Sequence, residues 1–182
     1  MVAFPSHDPE KILIMSVLDR FPNYISSILT LSAANTFTTT TLSMPIPRVT
    51  TGARNATIME LLYVDVAEDN TDYAANGDNN SFALSVGSAP GSIPSIRTTT
   101  TICSRKRELI FNTSGMQLYS HTYRIDLQDK HGFGFLVAAD TLNVSGDSTG
   151  MAGSTIFHFR IYYRFVTVPI EEYVGIVSSL MS

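Results

Sequence analysis

The chain holds a single cysteine, Cys103, among its 182 residues. No internal disulfide can form, and an oxidising compartment is not required. A lone thiol with no activating neighbour in sequence reads as a small buried side chain. Charge is scarce as well: 15% of residues are Asp, Glu, Lys or Arg, and the net charge is -4. Because the cores of subunit contacts are depleted in Lys, Glu and Asp, this scarcity points to surface hidden by other copies of the chain. The apolar run from Ile12 to Leu18 is too short to cross a bilayer. It also follows Asp8 and Glu10, where a secretion signal would carry positive charge, so no membrane partner is expected.

Recognisable chemistry is lacking too. The histidines His7, His121, His131 and His158 show no zinc-ligand spacing. The acidic residues Asp65, Glu68, Asp69, Asp72 and Asp78 lack the spacing of a helix-loop-helix calcium loop and read as a solvated loop. No nucleophile elbow, phosphate loop or H-E-x-x-H helix occurs. No catalytic residue, metal ligand set or cofactor is therefore expected, and the chain reads as a structural protein. The sequons at Asn55, Asn79, Asn112 and Asn143 read as Asn-rich turns.

What is present is strand pattern. From Ser154 to Val168, Phe157, Phe159, Ile161, Tyr163 and Phe165 alternate with His158, Arg160, Tyr162, Arg164 and Val166. That period of two, in β-branched and aromatic residues, predicts one long strand with an apolar face. A strand of that length needs a large sheet to cover it. Further strands are expected within Ile25–Ile46 as one long or two short pieces, at Ala56–Ala67 with both faces apolar near its centre, and at Ser81–Val86. Others are expected at Ser95–Cys103, at Arg107–Asn112, through Tyr119–Leu127, and over Phe133–Val144 with a break near Asp140. Asn76-Gly77 reads as a turn, as do Asp129–Gly132 and the small polar stretch Gly146–Gly153.

Helical signals lie only at the ends. Asp8-Pro9-Glu10 resembles a helix start for a segment running to Arg20. Beyond Pro169, Ile170, Tyr173, Val174, Val177 and Leu180 recur at helical spacing. Eight or so strands with scarcely any helix between them leave no room for parallel crossovers, so the expected fold is an all-β sandwich or barrel. At about 180 residues, a single main domain is expected at 26–168, flanked by a helical segment at 1–25 and an amphipathic tail at 169–182.

The segment Gly134-Phe135-Leu136-Val137-Ala138-Ala139-Asp140-Thr141-Leu142, then Tyr162-Tyr163-Arg164-Phe165, then Glu171-Glu172-Tyr173-Val174-Gly175-Ile176-Val177, resembles the C-terminal third of a known family. It is that of the capsid proteins of small circular single-stranded DNA viruses that encode a replication initiator (CRESS DNA viruses). Met59-Glu60-Leu61-Leu62 is similar to an early strand of the same family. Ala139 and Val174 stand where its pattern has Thr and Ile. The resemblance implies an eight-stranded antiparallel jelly roll, two four-stranded sheets face to face, and a virion location. It also implies self-assembly into an icosahedral homo-oligomer, expected as a 60-subunit T=1 shell around a single-stranded DNA genome. Where that family commonly opens with a basic arm, this sequence reads MVAFPSHDPEKIL. Either an arm was removed, or inward-facing side chains serve instead, or no genome is packed.

Two groups of site residues follow. Arg97, Arg105, Lys106 and Arg107 are candidates for phosphate contact, against a solvated turn between strands. Arg160, Tyr162, Arg164 and Tyr173 are candidates for a subunit interface, with base stacking beside Tyr162 as the other reading. A trimeric β-sandwich of the tumour-necrosis-factor or complement-head type, binding a receptor or glycan, shares the all-β pattern and stays open as the alternative function.

Overall fold

The computed structural model describes residues 16–17, 21–32, 35–44, 54–69, 76–108, 122–151 and 153–181. The long strand expected near the C-terminus is β10 (Thr155–Pro169). It lies inside a sheet and pairs antiparallel on one side with β4 (Asn55–Asp69) and on the other with β2 (Asn23–Leu31) and the short β1 (Ser16–Val17). On its far side β4 pairs with β7 (Tyr123–Asp126) and, at its other end, with β8 (Phe135–Val137). A second sheet runs in the order β3 (Phe37–Ser43), β9 (Thr141–Thr149), β5 (Asn79–Val86), β6 (Thr101–Glu108). Since β1 and β2 flank β10 on one side and β7 and β8 flank β4, each sheet has four strand positions. These are the two antiparallel sheets of a jelly roll, closed at the C-terminus by one helix, α1 (Ile170–Met181).

The core follows from alternation. Leu29 and Leu31 of β2, Val64 and Val66 of β4, and Phe157, Phe159 and Ile161 of β10 meet Phe82 and Leu84 of β5 and Leu142 and Val144 of β9. Phe82 lies 5.5 Å from Phe159 between ring centroids, in an edge-to-face pair across the two sheets.

In β4 the alternation slips by one. Tyr162 pairs with Tyr63 but Tyr163 pairs with Leu61, so Leu62 is an inserted bulge residue. Its carbonyl accepts a hydrogen bond of 2.9 Å from the amide of Leu127. Met59 and Leu61 face the core before the bulge, and Val64 and Val66 after it. On the near side of the bulge, Ala56 and Ile58 of β4 join Val166 and Val168 of β10 on the other face of the sheet, where Ile170, Tyr173 and Ile176 of α1 cover them. This second cluster, at about 2 kcal/mol per buried valine or isoleucine, holds the helix against the sandwich. It also explains why both faces of this strand read as apolar.

Several expectations are corrected. Ser16 and Val17 pair as strand with Thr167 and Val166 rather than continuing a helix to Arg20, and the rest of that expected helix lies outside the described residues. The Thr-rich region forms two strands, β2 and β3. Arg105, Lys106 and Arg107 fall inside one strand, β6, rather than in a turn between two. Gly146 is no turn residue: it sits mid-strand in β9, where a Cβ would lie 2.7 Å from Leu29 Cδ2 and 3.3 Å from the Phe157 ring. Val174 of α1 points outward, 56% exposed, while Ile176 takes its place against the sheet.

Candidate assembly surface

The outer face of the first sheet changes character along its length. Under α1 it is apolar. Next comes Glu60, fully buried, whose carboxylate accepts from Arg164 Nε at 2.5 Å, Arg164 Nη2 at 3.1 Å and the Gly134 amide at 2.6 Å. A buried carboxylate is tolerated only when paired and hydrogen-bonded, and here three donors converge on it. Gly134 has to be glycine for this approach, because a Cβ would stand 2.1 Å from the Leu61 carbonyl oxygen. The bond to Glu60 raises the pKa of Arg164, so the guanidinium stays charged.

Beyond the bulge the same face opens to solvent. Tyr24, Tyr162 and Tyr63 line up across β2, β10 and β4, with ring centroids 6.0 Å apart for the first pair and 4.3 Å for the second. Arg124 of β7 lies over the Tyr63 ring at 4.0 Å, and Arg160 over the Tyr24 ring at 5.1 Å. Asp65 holds Arg124 in place with two bonds of 2.7 and 3.0 Å. That hydrogen bond, reinforced by the charges of Arg124 and Arg160, lowers the carboxyl of Asp65 below its ordinary 3.8. Small residues Ser26 and Ala67 leave a shallow groove of about 360 Å³ beside the tyrosine row, bordered by Ile28, Asp65, His158 and Arg160. His158 pairs with Asp69 at 2.9 Å.

The basic residues are arranged differently. Arg107 reaches the buried carboxylate of Glu68 at 3.2 Å, where Asn80 Nδ2 donates at 3.2 Å and the Tyr123 hydroxyl at 3.0 Å. This cluster ties β4 and β7 of one sheet to β5 and β6 of the other. Burial, then the charge of Glu68 and its hydrogen bond, pushes the Tyr123 phenol up and keeps it protonated. Arg105 lies over the Tyr123 ring at 3.9 Å. Lys106 pairs with Glu108 at 3.3 Å with both side chains about half exposed, a contact of little energetic weight. Arg97 is exposed in the loop that joins β5 to β6. The four candidate cations therefore share one strand and the loop before it, with much of their charge matched by the chain's own carboxylates.

Of the four candidate interface residues, Arg160 and Tyr162 belong to the open tyrosine face. Arg164 turns to Glu60, and Tyr173 packs on the second cluster of its own chain. Sequence reasoning missed Tyr24, Tyr63 and Arg124, because strand register brings them together and no linear spacing shows it. Asp65, Glu68 and Asp69 lie in β4 rather than in a loop, and no group of three or more metal-binding side chains occurs among the described residues. Cys103 is buried and its thiol is pushed up to about 12 by desolvation, as an unreactive core residue should be.

Comparison with known proteins places this architecture. No family model and no curated protein sequence matches the chain. Among solved structures it is similar to VP1 of Trichodysplasia spinulosa-associated polyomavirus in complex with 3'-sialyllactose, at TM-score 0.60 and 13% identity, covering 87% of this chain and 100% of that one. It is also similar to Merkel cell polyomavirus VP1 as an unassembled pentamer, at TM-score 0.51 and 12% identity, covering 86% and 100%. At such identities the likeness concerns the fold, and the fold is the jelly-roll sandwich that these VP1 capsid proteins share.

Proposed function

We propose that this chain is a viral capsid subunit that self-assembles into a closed shell, as in the small circular single-stranded DNA viruses whose capsid proteins its C-terminal third resembles. The observation that carries this reading is the strand order, β2-β10-β4-β7 against β3-β9-β5-β6, in a chain whose structural neighbours are polyomavirus VP1 proteins. Low charge and an open aromatic face support repeated contact between copies. Closed point-group symmetry would let many modest contacts add up to a stable particle, here a T=1 shell of 60 copies. The function is structural, with no catalytic step, and the site of action is the virion.

The reading includes a single-stranded DNA genome, contacted through Arg97, Arg105, Lys106 and Arg107. Arg97, Arg105 and Lys106 are the exposed members of that set, while Arg107 is tied to Glu68. Such a contact would be sequence-independent and weakened by salt. The test is negative-stain electron microscopy of the purified protein with its 260/280 nm absorbance ratio. Closed particles with high absorbance at 260 nm are expected. Closed particles without it would remove the genome from the proposal, and a uniform small oligomer under all assembly conditions would overturn the capsid reading in favour of a trimeric binding module.

A further inference from the structure

We infer that the open part of the first sheet's outer face, the Tyr24–Tyr162–Tyr63 row with Arg124 and Arg160, is a contact surface for a second copy of this chain. The inference rests on the capsid reading and names the surface through which it would act. Three observations converge on it.

First, the face carries aromatic area that its own chain leaves to solvent. Tyr24 is 60% exposed and Ile28, four residues along the same strand, is 61% exposed. Helix α1 covers the same sheet face only as far as the Glu60–Arg164 pair. Tyrosine and arginine supply the anchors of most protein contacts, because each brings large area and a polar tip.

Second, the anchors are pre-set. Asp65 fixes Arg124 with two hydrogen bonds, and Arg124 in turn lies over Tyr63 at 4.0 Å and 5.8 Å from the Tyr162 ring centroid. Arg160 sits over the Tyr24 ring at 5.1 Å. Side chains that are already ordered lose less entropy when a partner arrives. The groove beside the row, about 360 Å³ and floored by Ser26 and Ala67, gives a partner's side chain a place to enter.

Third, the charge on this face suits a protein and not a polyanion. Among the described residues of this face, two guanidiniums, Arg124 and Arg160, stand with three carboxylates, Asp65, Asp69 and Asp126, and His158 is paired with one of them. A single-stranded nucleic acid could stack on the tyrosines, but its phosphates would meet more carboxylates than guanidiniums, and binding to phosphates is driven by cations. A partner bearing both signs is matched, and the partner that a self-assembling chain meets in every copy is itself.

The test is the double variant Tyr24→Ser/Arg160→Glu, assembled beside the wild-type protein, with circular dichroism and thermal melting to establish that the variant is folded. A second variant, Lys130→Glu in the exposed turn between β7 and β8, serves as the charge control. The expected result is a folded double variant whose yield of closed particles falls at least tenfold, with the control near wild-type yield. Wild-type yield from the folded double variant would overturn the inference. So would normal particle yield with a lowered 260/280 ratio, which would make the face a nucleic-acid platform. If the wild-type chain itself gives only a small oligomer, the capsid reading fails separately, and the contact is then read from that oligomer's dissociation by analytical ultracentrifugation. There a tenfold weakening supports it, and an unchanged value, or a wild-type chain that stays monomeric, overturns it.

Discussion

The two sheets face the same core with the same alternation, yet their outer faces have opposite characters. On the second sheet most outward positions are small and polar without charge, Thr39 and Thr41 of β3, Asn143 and Ser145 of β9, Ser81 and Ser85 of β5, with Asp147, Lys106 and Glu108 gathered toward one end. Asn143, Ser145 and Ser85 are buried there, and the chain satisfies much of this face itself. Thr41 Oγ1 bonds Asn143 Oδ1 at 2.8 Å, Thr39 Oγ1 lies 3.0 Å from Ser145 Oγ, and Asn143 Nδ2 donates to the Gly87 carbonyl at 2.9 Å. On the first sheet the outward positions are aromatic and charged, closed at one end by α1 and open at the other. The contrast teaches that alternation decides which residues enter the core, whereas the composition of the outward set decides whether a sheet is finished within one chain.

The sharpest way to break this contrast is at the border between the closed and open parts of the first sheet. Arg164→Met leaves the Glu60 carboxylate buried without its cation. Removing one partner of a buried pair costs about 3–5 kcal/mol. Urea unfolding of the variant should show a loss of that size, and a loss below about 1 kcal/mol would mean that Glu60 finds water or takes up a proton. On the second sheet the corresponding change is milder. Thr41→Val keeps the strand-favouring shape and removes one side-chain hydrogen bond, so about 1 kcal/mol of stability should go. An equal effect at the two sites would erase the distinction between a face built on charge and one built on hydroxyls.

The smallest effect tests how Asp65 organises the open face. Its folded-state pKa is lowered, first by the hydrogen bond from Arg124. A lowered carboxyl contributes stability that is present above its unfolded value of about 3.9 and is lost as pH falls through the folded value. Arg124→Gln should therefore raise the Asp65 titration toward 3.8, read by carboxyl NMR. The stability difference between wild type and variant should shrink as pH falls below about 3.9 and vanish only below the lowered wild-type value of Asp65. Because the pair is exposed at Arg124, the stability change itself should be slight. An Asp65 titration that does not move would show that Arg124 is not what holds it.

How far these features could be read in advance depended on whether their cause is local. β10 was legible almost to the residue, Ser154–Val168 against Thr155–Pro169, because alternation of aromatic and polar residues is a property of the strand alone. The break near Asp140 and the turn at Asn76-Gly77, with Gly77 at φ 93°, were legible for the same reason. Gly146 was misread as a turn because glycine in sequence signals freedom, whereas here it answers a crowded meeting of Leu29 and Phe157 from the opposite sheet. Glu68 read as a loop acid, since nothing in its neighbourhood reveals that Arg107, Asn80 and Tyr123 will surround it. The tyrosine row was half legible: Tyr162 stood out, but Tyr24 and Tyr63 become its neighbours only through pairings 138 and 99 positions apart in the chain.

The central place of β10 has a further effect, on the timing of folding. As the chain is synthesised, β2 and β4 emerge long before the strand that must lie between them. Until β10 is made, the first sheet has two halves with no middle, and Tyr24 and Tyr63 stand on strands that do not yet adjoin. Long-range pairing of this kind makes folding slow and leaves strand edges exposed to aggregation. It also makes completeness a condition of recognition: a nascent or prematurely ended chain lacks the ribbon that carries Tyr162 and Arg160, and so cannot present the surface that a finished copy would accept.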